Sequence, residues 1–228
     1  MRENICTIPI NDIFKETKSC PVCRMHNMIE LQYVEYITGS AMMAPDVRVV
    51  TNQTGFCKKH SMMMLNNGPR LSNALIYQTH IDEIRQNILP QKENEFPSKK
   101  CIQKIKELKN SCYVCDRIEK DIQLLMKTVF AQFAKDEEFR RLYSMQEYIC
   151  LDHYADIMIQ ANSKDGIDRK YKEEFTVATN RLLKNYINSL YDDLTHFTTM
   201  YDYRNQGNDW GTSVDSIERT ITFLSTDN

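Results

Sequence analysis

Apolar residues recur at helical spacing through nearly the whole of this chain. After Cys23, the positions Met25, Met28, Ile29, Val34 and Ile37 fall on one helical face, and Gly39 supplies a stop. Pro45-Asp46 opens a short segment, VRVVTNQ, and a turn at Thr54-Gly55 leads into a helix that runs to Gly68-Pro69. Leu71 to Leu89 predicts a longer helix with Leu71, Ala74, Leu75, Ile81, Ile84 and Ile88 on its apolar side, ended by Pro90. The polar stretch QKENEFPS follows as a linker, and Ser98 is placed to cap a lysine-rich helix. A second series then begins. IEKDIQLLMKTVFAQFAK is amphipathic, Asp136 can cap the short EEFRRLYS, LDHYADIMIQAN is helical until SKDG breaks it, and a long helix spans about 170–200. Few runs alternate with period two, so the pattern predicts an all-α protein.

The two series match at their punctuation. Cys20-Pro21-Val22-Cys23 precedes the first, and Cys57-Lys58-Lys59-His60 lies after 33 intervening residues. Cys112-Tyr113-Val114-Cys115 precedes the second, with Cys150-Leu151-Asp152-His153 after 34. A shift of 92 residues superposes Cys20 on Cys112, Cys23 on Cys115 and Val47-Arg48 on Phe139-Arg140, and one inserted residue then brings Cys57 and His60 onto Cys150 and His153. This predicts a duplicated unit of knuckle, helix, short helix, CxxH helix and long helix. In linear terms it predicts a first repeat over 1–90, a linker and Lys-rich helix over 91–111, a second repeat over 112–200, and a tail over 201–228 packed on the body.

A CxxC turn sets two thiolates on one knuckle, and a CxxH at a helix start presents a third thiolate and an imidazole one turn apart. Together they make Cys₃His, a closed tetrahedral donor set suited to structural zinc. The reading is two zinc ions, ahead of iron–sulfur clusters, with Cys20, Cys23, Cys57 and His60 on one ion and Cys112, Cys115, Cys150 and His153 on the other. That is the simple expectation. A duplicated protein can also exchange partners, joining each CxxC to the CxxH of the other half. Four candidate ligands per site argue against the open position of catalytic zinc, and no HExxH-type base lies nearby. The CxxC pairs lack the βαβ surroundings of a thioredoxin-like dithiol. A closed set is expected to keep its metal under mild peroxide, and a thiol- or metal-dependent redox protein, or a redox-sensitive zinc switch, is the alternative.

Composition sets the outer limits. The chain of 228 residues is 42% hydrophobic and 26% charged, with six glycines and six prolines, which is ordinary globular composition weighted to helix. The formal net charge is −2, divided as +4 over 1–115 and −6 over 116–228, so no global field draws it to nucleic acid. Lys99, Lys100, Lys104, Lys106 and Lys109 form a basic face that is read as solvated. The N-terminal segment lacks the apolar core of a secretory signal, and no stretch is long and apolar enough to span a bilayer. A cytosolic location is expected, where thiols stay reduced and cysteines are read as metal ligands. Cys6 and Cys101 are left over as small buried residues. Met42-Met43 and Met62-Met63-Met64 are read as flexible core filler or an adaptable partner-binding surface rather than copper ligands. His26, His80 and His196 are read as surface or hydrogen-bonded residues.

The tail Tyr201-Asp202-Tyr203-Arg204-Asn205, followed by Trp210-Gly211, sets a carboxylate and a guanidinium beside aromatics. It is expected to dock on the body through Trp210 and an Asp202–Arg204 pair. The alternative is a pocket in which Arg204, with Arg48 and Arg140, reads an anionic ligand.

Taken together, the residues Cys20, Cys23, Arg48, Gly55, Phe56, Cys57, His60, Cys112, Cys115, Phe139, Arg140, Cys150, His153, Tyr201-Asp202-Tyr203-Arg204-Asn205 and Trp210-Gly211 resemble the pattern of a bacterial family of unknown function, found mostly in Firmicutes and related anaerobes. Tyr201 stands where that pattern has Phe, and Glu147-Tyr148 stands where the first half has Gly55-Phe56. The resemblance implies a bacterial cytosolic protein and no settled activity. With no nucleophile–base set, phosphate loop or dinucleotide fingerprint in the chain, the expected role is a non-enzymatic scaffold or adaptor for a protein partner. Membrane binding is not expected, and nucleic-acid binding is disfavoured by the acidic balance.

Overall fold

The computed structural model describes residues 8–225, and Cys6 lies outside them. The described chain is all-α, with eleven α-helices, short 3₁₀ turns and no strand among these residues. In order they are α1 (Ile8–Lys15), α2 (Pro21–Thr38), α3 (Pro45–Thr54), α4 (Lys58–Asn67), α5 (Arg70–Asn87), α6 (Lys99–Lys109), α7 (Tyr113–Lys135), α8 (Glu137–Ser144), α9 (Leu151–Ala161), α10 (Lys172–Thr199) and α11 (Ser216–Leu224). None of the described helices is long and apolar enough to cross a membrane.

Local chemistry explains where the helices begin. Pro45 opens α3, where a missing N–H costs nothing. The Ser98 hydroxyl accepts from the Cys101 N–H at the start of α6, and the Asp136 carboxylate accepts from Glu138 and Phe139 at the start of α8. α4 and α9 begin differently. Their N-caps are Cys57 and Cys150, in matched extended conformations, and neither side chain caps a backbone N–H of its helix. Both thiols are therefore free to serve another purpose.

The chain divides into two compact units, and the division falls inside α2 and α7. The first unit joins residues 1–25 to residues 122–228, and the second is 26–121. The first is built from two distant stretches of chain. Its core is aromatic: Phe14 meets Phe139 and Tyr143 at centroid distances of 5.0 and 5.7 Å, and Phe175 meets Phe130, Phe133 and Tyr143 at 5.4, 5.0 and 5.1 Å. The one polar tip in this group, the Tyr143 hydroxyl, pairs with the buried Thr179 hydroxyl at 2.9 Å, as a buried phenol requires.

In the second unit α3 packs on α5. The expected apolar side of α5 is not the buried one. Leu71 and Ile81 are 68% and 60% exposed, whereas Ser72, Asn73 and Ile76 are buried. Polar bonds set this rotation. The Asn73 amide donates to the Met64 and Pro69 carbonyls, and Arg48 on α3 reaches the Leu75 carbonyl and the Thr79 hydroxyl. Two helices were not expected from periodicity, α1 and α11. α11 packs on α9 and α10, where Phe223 lies against Tyr186 and Tyr148 at 5.4 and 5.9 Å.

Candidate metal centres

Eight ligands predicted from spacing gather into two clusters, each with its four donor atoms within 4.8 Å of one another. The membership is exchanged relative to the simple expectation. Cys20 and Cys23 meet Cys150 and His153, and Cys57 and His60 meet Cys112 and Cys115. The helix lengths are in keeping with the exchange. α2 starts at the first knuckle and has 18 residues, so it carries the chain about 27 Å away, and the 10-residue α3 that precedes Cys57 is only about 15 Å long. The second half repeats this, with 23 residues in α7 and eight in α8. In each half the helix that leaves the CxxC is longer than the one that leads back to the CxxH.

The first cluster lies wholly in the first unit. The His153 Nδ1 stands 3.0 Å from the Cys150 Sγ, 3.3 Å from the Cys23 Sγ and 3.8 Å from the Cys20 Sγ, and the Cys23 and Cys150 sulfurs are 3.7 Å apart. The second lies wholly in the second unit. There the His60 Nδ1 stands 3.2 Å from the Cys57 Sγ and 3.3 Å from the sulfurs of Cys112 and Cys115, and Cys57 and Cys115 are 3.9 Å apart. Zinc bound tetrahedrally at its usual bond lengths sets S···S edges of about 3.8 Å and S···N edges of about 3.6 Å. Both clusters have this size, and their sulfurs are far outside disulfide distance. Their residues can therefore hold a metal ion each, through three thiolates and one Nδ1.

Each cluster sits where two helix N-termini meet, those of α2 and α9 in the first and those of α4 and α7 in the second. Helix N-termini favour negative charge, which suits a set of three thiolates. Backbone stitches hold the paired loops together. In the first cluster the Glu147 N–H donates to the Thr17 carbonyl at 3.0 Å, and its carboxylate accepts from the Ser19 N–H at 3.2 Å. In the second, the Tyr113 N–H donates to the Gly55 carbonyl at 3.0 Å, and the Ser111 hydroxyl donates to Thr54 at 2.6 Å. Gly55 and Glu147 are the matched positions of the two repeats, but the bonds differ: Glu147 donates its N–H, whereas Gly55 accepts through its carbonyl, and Pro21, which matches Tyr113, has no N–H to give. Gly55 has φ +62°, and a Cβ there would lie 2.9 Å from the His80 ring, so this position needs glycine. An aromatic follows the stitch in both: Phe56 packs on Tyr77 and Tyr113, and Tyr148 stacks on Tyr186 at 4.0 Å.

Two supporting residues were missed by sequence reasoning. Arg24 follows the first CxxC directly. Its guanidinium donates to the carbonyls of Ile13, Glu16, Lys18 and Ser19 and to the Gln146 side chain, tying the loop before Cys20 to the loop before Cys150. Ser19, held in this way, has a left-handed φ of 67°. Glu30 supports the second cluster. Its buried carboxylate lies 2.8 Å from the His60 Nε2 and 3.1 Å from the Lys59 Nζ. A carboxylate on the far nitrogen fixes the imidazole tautomer and leaves Nδ1 to the metal. Position 24 is recognisable by its adjacency to the motif. Glu30 has no such mark, because its role depends on how α2 meets α4.

The two imidazoles differ electrostatically. Burial pushes His60 down, partly offset by Glu30. Burial also acts to lower His153, but its bonds to Cys150 and Cys20 outweigh that and push it up to about 10. The thiol of Cys115, on an exposed residue, is pushed up by partial desolvation and by the negative charge and bonding of Cys112 and Cys57. A bound cation removes that penalty, since coordination deprotonates thiols.

The remaining candidates separate. Arg48 lies in the second unit, and Arg140, Asp202, Arg204 and Trp210 lie in the first. Arg140 donates to the Phe133 carbonyl at 2.9 Å, pairs with Glu174 at 3.4 Å and covers the Tyr171 ring. It borders an open cavity of about 700 Å³ lined by Glu137, Glu138, Arg141, Ser144 and Glu174. Asp202 and Arg204 bond to each other within one exposed turn. Trp210 packs on Phe197 and Tyr201 at 5.2 and 5.6 Å. Beyond it, Arg219 pairs with Asp193 of α10 at 2.8 Å. Met64 is fully buried while Met62 and Met43 are exposed, and Cys101 is buried. His80 bonds the Asn52 carbonyl and His196 the Asp209 carbonyl.

No curated protein and no solved structure matches the chain. A family model does match it, over residues 1–228, and the chain belongs to that family, described as a family of unknown function (DUF6062).

Proposed function

We propose that this is a bacterial, cytosolic helical protein clasped by two structural zinc ions, and that it serves as a non-enzymatic scaffold or adaptor for a protein partner. The observation that carries the reading is the size and closure of the two donor sets. Each offers four protein ligands at tetrahedral edge lengths, which leaves no open coordination position for a substrate. Zinc suits three thiolates and an imidazole better than iron–sulfur clusters, which are held by thiolates alone in most cases. Each ion would bind residues far apart in sequence: Cys23 and Cys150 are separated by 127 positions, and His60 and Cys112 by 52. Such cross-links supply folding free energy that is absent from the unfolded chain. The protein would then present rigid helical faces to its partner. Elemental analysis of protein purified without oxygen should find two zinc ions per chain and no iron. Removing them with a chelator under reducing conditions should lower helicity. Metal-free protein with unchanged helicity and melting temperature would overturn the structural role.

A further inference from the structure

The clusters share a donor set but not their access to solvent. In the first, Cys20 and Cys150 are 0% and 1% exposed, and only Cys23 is partly open. In the second, Cys115 is exposed and Cys57 is partly exposed, while Cys112 is buried. Coordination would hold all six as thiolates, so ionisation does not distinguish them, and access does. The sulfurs of these two more exposed residues also lie 3.9 Å apart.

We infer that the second cluster is an oxidation site for hydroperoxides, with Cys115 as the attacking thiolate and Cys57 as its resolving partner, and that the first cluster is not. The inference rests on the zinc reading above and departs from the expectation that both closed sites resist peroxide. Cys115 attacks one peroxide oxygen. The S–O bond forms as the O–O bond breaks, and the other oxygen leaves with a proton from water as an alcohol, or as water from hydrogen peroxide. The Cys57 thiolate then attacks that sulfur. The S–S bond forms, the S–O bond breaks, and the departing hydroxide takes up a proton. The two sulfurs lose two electrons and the peroxide gains them. Closing the pair from 3.9 Å to bonding distance takes both sulfurs from the metal set, leaving only Cys112 and His60. Two ligands do not retain zinc, so the second unit would lose its clasp while the first keeps its own. The Gly55–Tyr113 stitch lies outside the ligand set and would hold the two loops near each other, so reductant and zinc should restore the site.

The test uses the full-length wild-type protein, because a ligand variant may fail to fold. Protein carrying two zinc ions is titrated with hydrogen peroxide. Zinc release is followed with a chromogenic chelator, and thiols are mapped by alkylation and mass spectrometry. The expected course is release of one zinc at least about tenfold faster than the other, with a Cys57–Cys115 disulfide and with Cys20, Cys23 and Cys150 still reduced. Reductant and zinc should return the starting spectrum. Equal release from both clusters, earlier loss from the first, or a disulfide that excludes Cys57 or Cys115 would overturn the inference and leave the zinc reading intact. Protein that never carries zinc would overturn the zinc reading itself.

Discussion

The two clusters show how one donor set can sit in two different surroundings. Both offer three cysteine sulfurs and an Nδ1, both lie at paired helix N-termini, and both have a backbone bond between the two loops that bring the ligands. The first joins the two distant stretches that make up the first unit, and its supports are structural: Arg24 donates to five residues, and Phe223 of the tail helix packs on Tyr148, two residues before Cys150. The second closes a shorter loop within a contiguous unit, and its support is chemical, a carboxylate that fixes the His60 tautomer. By loop length alone, closing 127 rather than 52 residues differs by about 0.8 kcal/mol. That is too small to separate the clusters, so the comparison rests on burial and on what each clasp holds together.

Loss of a ligand should separate them most. Cys150→Ser should remove one zinc and cost the first unit its cooperative unfolding transition, since structural zinc in small domains contributes on the order of 10 kcal/mol. Cys57→Ser should remove one zinc and leave that unit's transition in place, as read by thermal unfolding with hydrogen exchange. Equal damage from both variants would erase the distinction.

Support residues should follow. Phe223→Ala is expected to cost about 3 kcal/mol and to weaken only the first cluster's hold on zinc, because the Tyr148–Tyr186 stack loses its cover. Arg24→Ala should cost a similar amount, since several carbonyls and the Gln146 side chain lose their donor. Glu30→Gln should act on the second cluster alone, weakening its zinc affinity by about 10–100-fold in a chelator competition. If the chelator removes the first zinc more easily from that variant, the assignment of Glu30 is wrong.

The smallest effect is expected at the tail clamp. The Asp193 carboxyl is held below its usual range by bonds from Thr212 and Arg219. A carboxylate depressed on folding contributes stability above its unfolded pKa, and loses it as pH falls through the folded value. Asp193→Asn should therefore cost about 1 kcal/mol at neutral pH, and less as the solution is acidified toward the folded value. A cost that grows on acidification would contradict this.

Much of this was legible in the sequence, for reasons that also explain what was not. Ligand identity follows from spacing, because CxxC and CxxH are each one turn of chain and local geometry decides them. Ligand pairing is a long-range property. It depends on how far α2 and α7 run before the chain turns back, and the repeat alone left it open. The buried face of α2 followed its apolar residues, from Met25 to Ile37. The buried face of α5 did not, because Asn73 and Arg48 have hydrogen-bond partners that outweigh the burial of Leu71 and Ile81. α11 escaped notice because its inner face is Ser216, Thr220 and Phe223, which carry little periodic signal. Its stripe of Ile217, Ile221 and Leu224 is exposed.

The most direct test asks which cysteines share a metal. Replacing zinc with NMR-active cadmium couples each metal to the β-protons of its own cysteine ligands. The structure predicts that Cys20, Cys23 and Cys150 couple to one cadmium resonance, and Cys57, Cys112 and Cys115 to the other. A resonance coupled to Cys20, Cys23 and Cys57 together would contradict the exchanged clasp, and with it the account of why the two clusters differ.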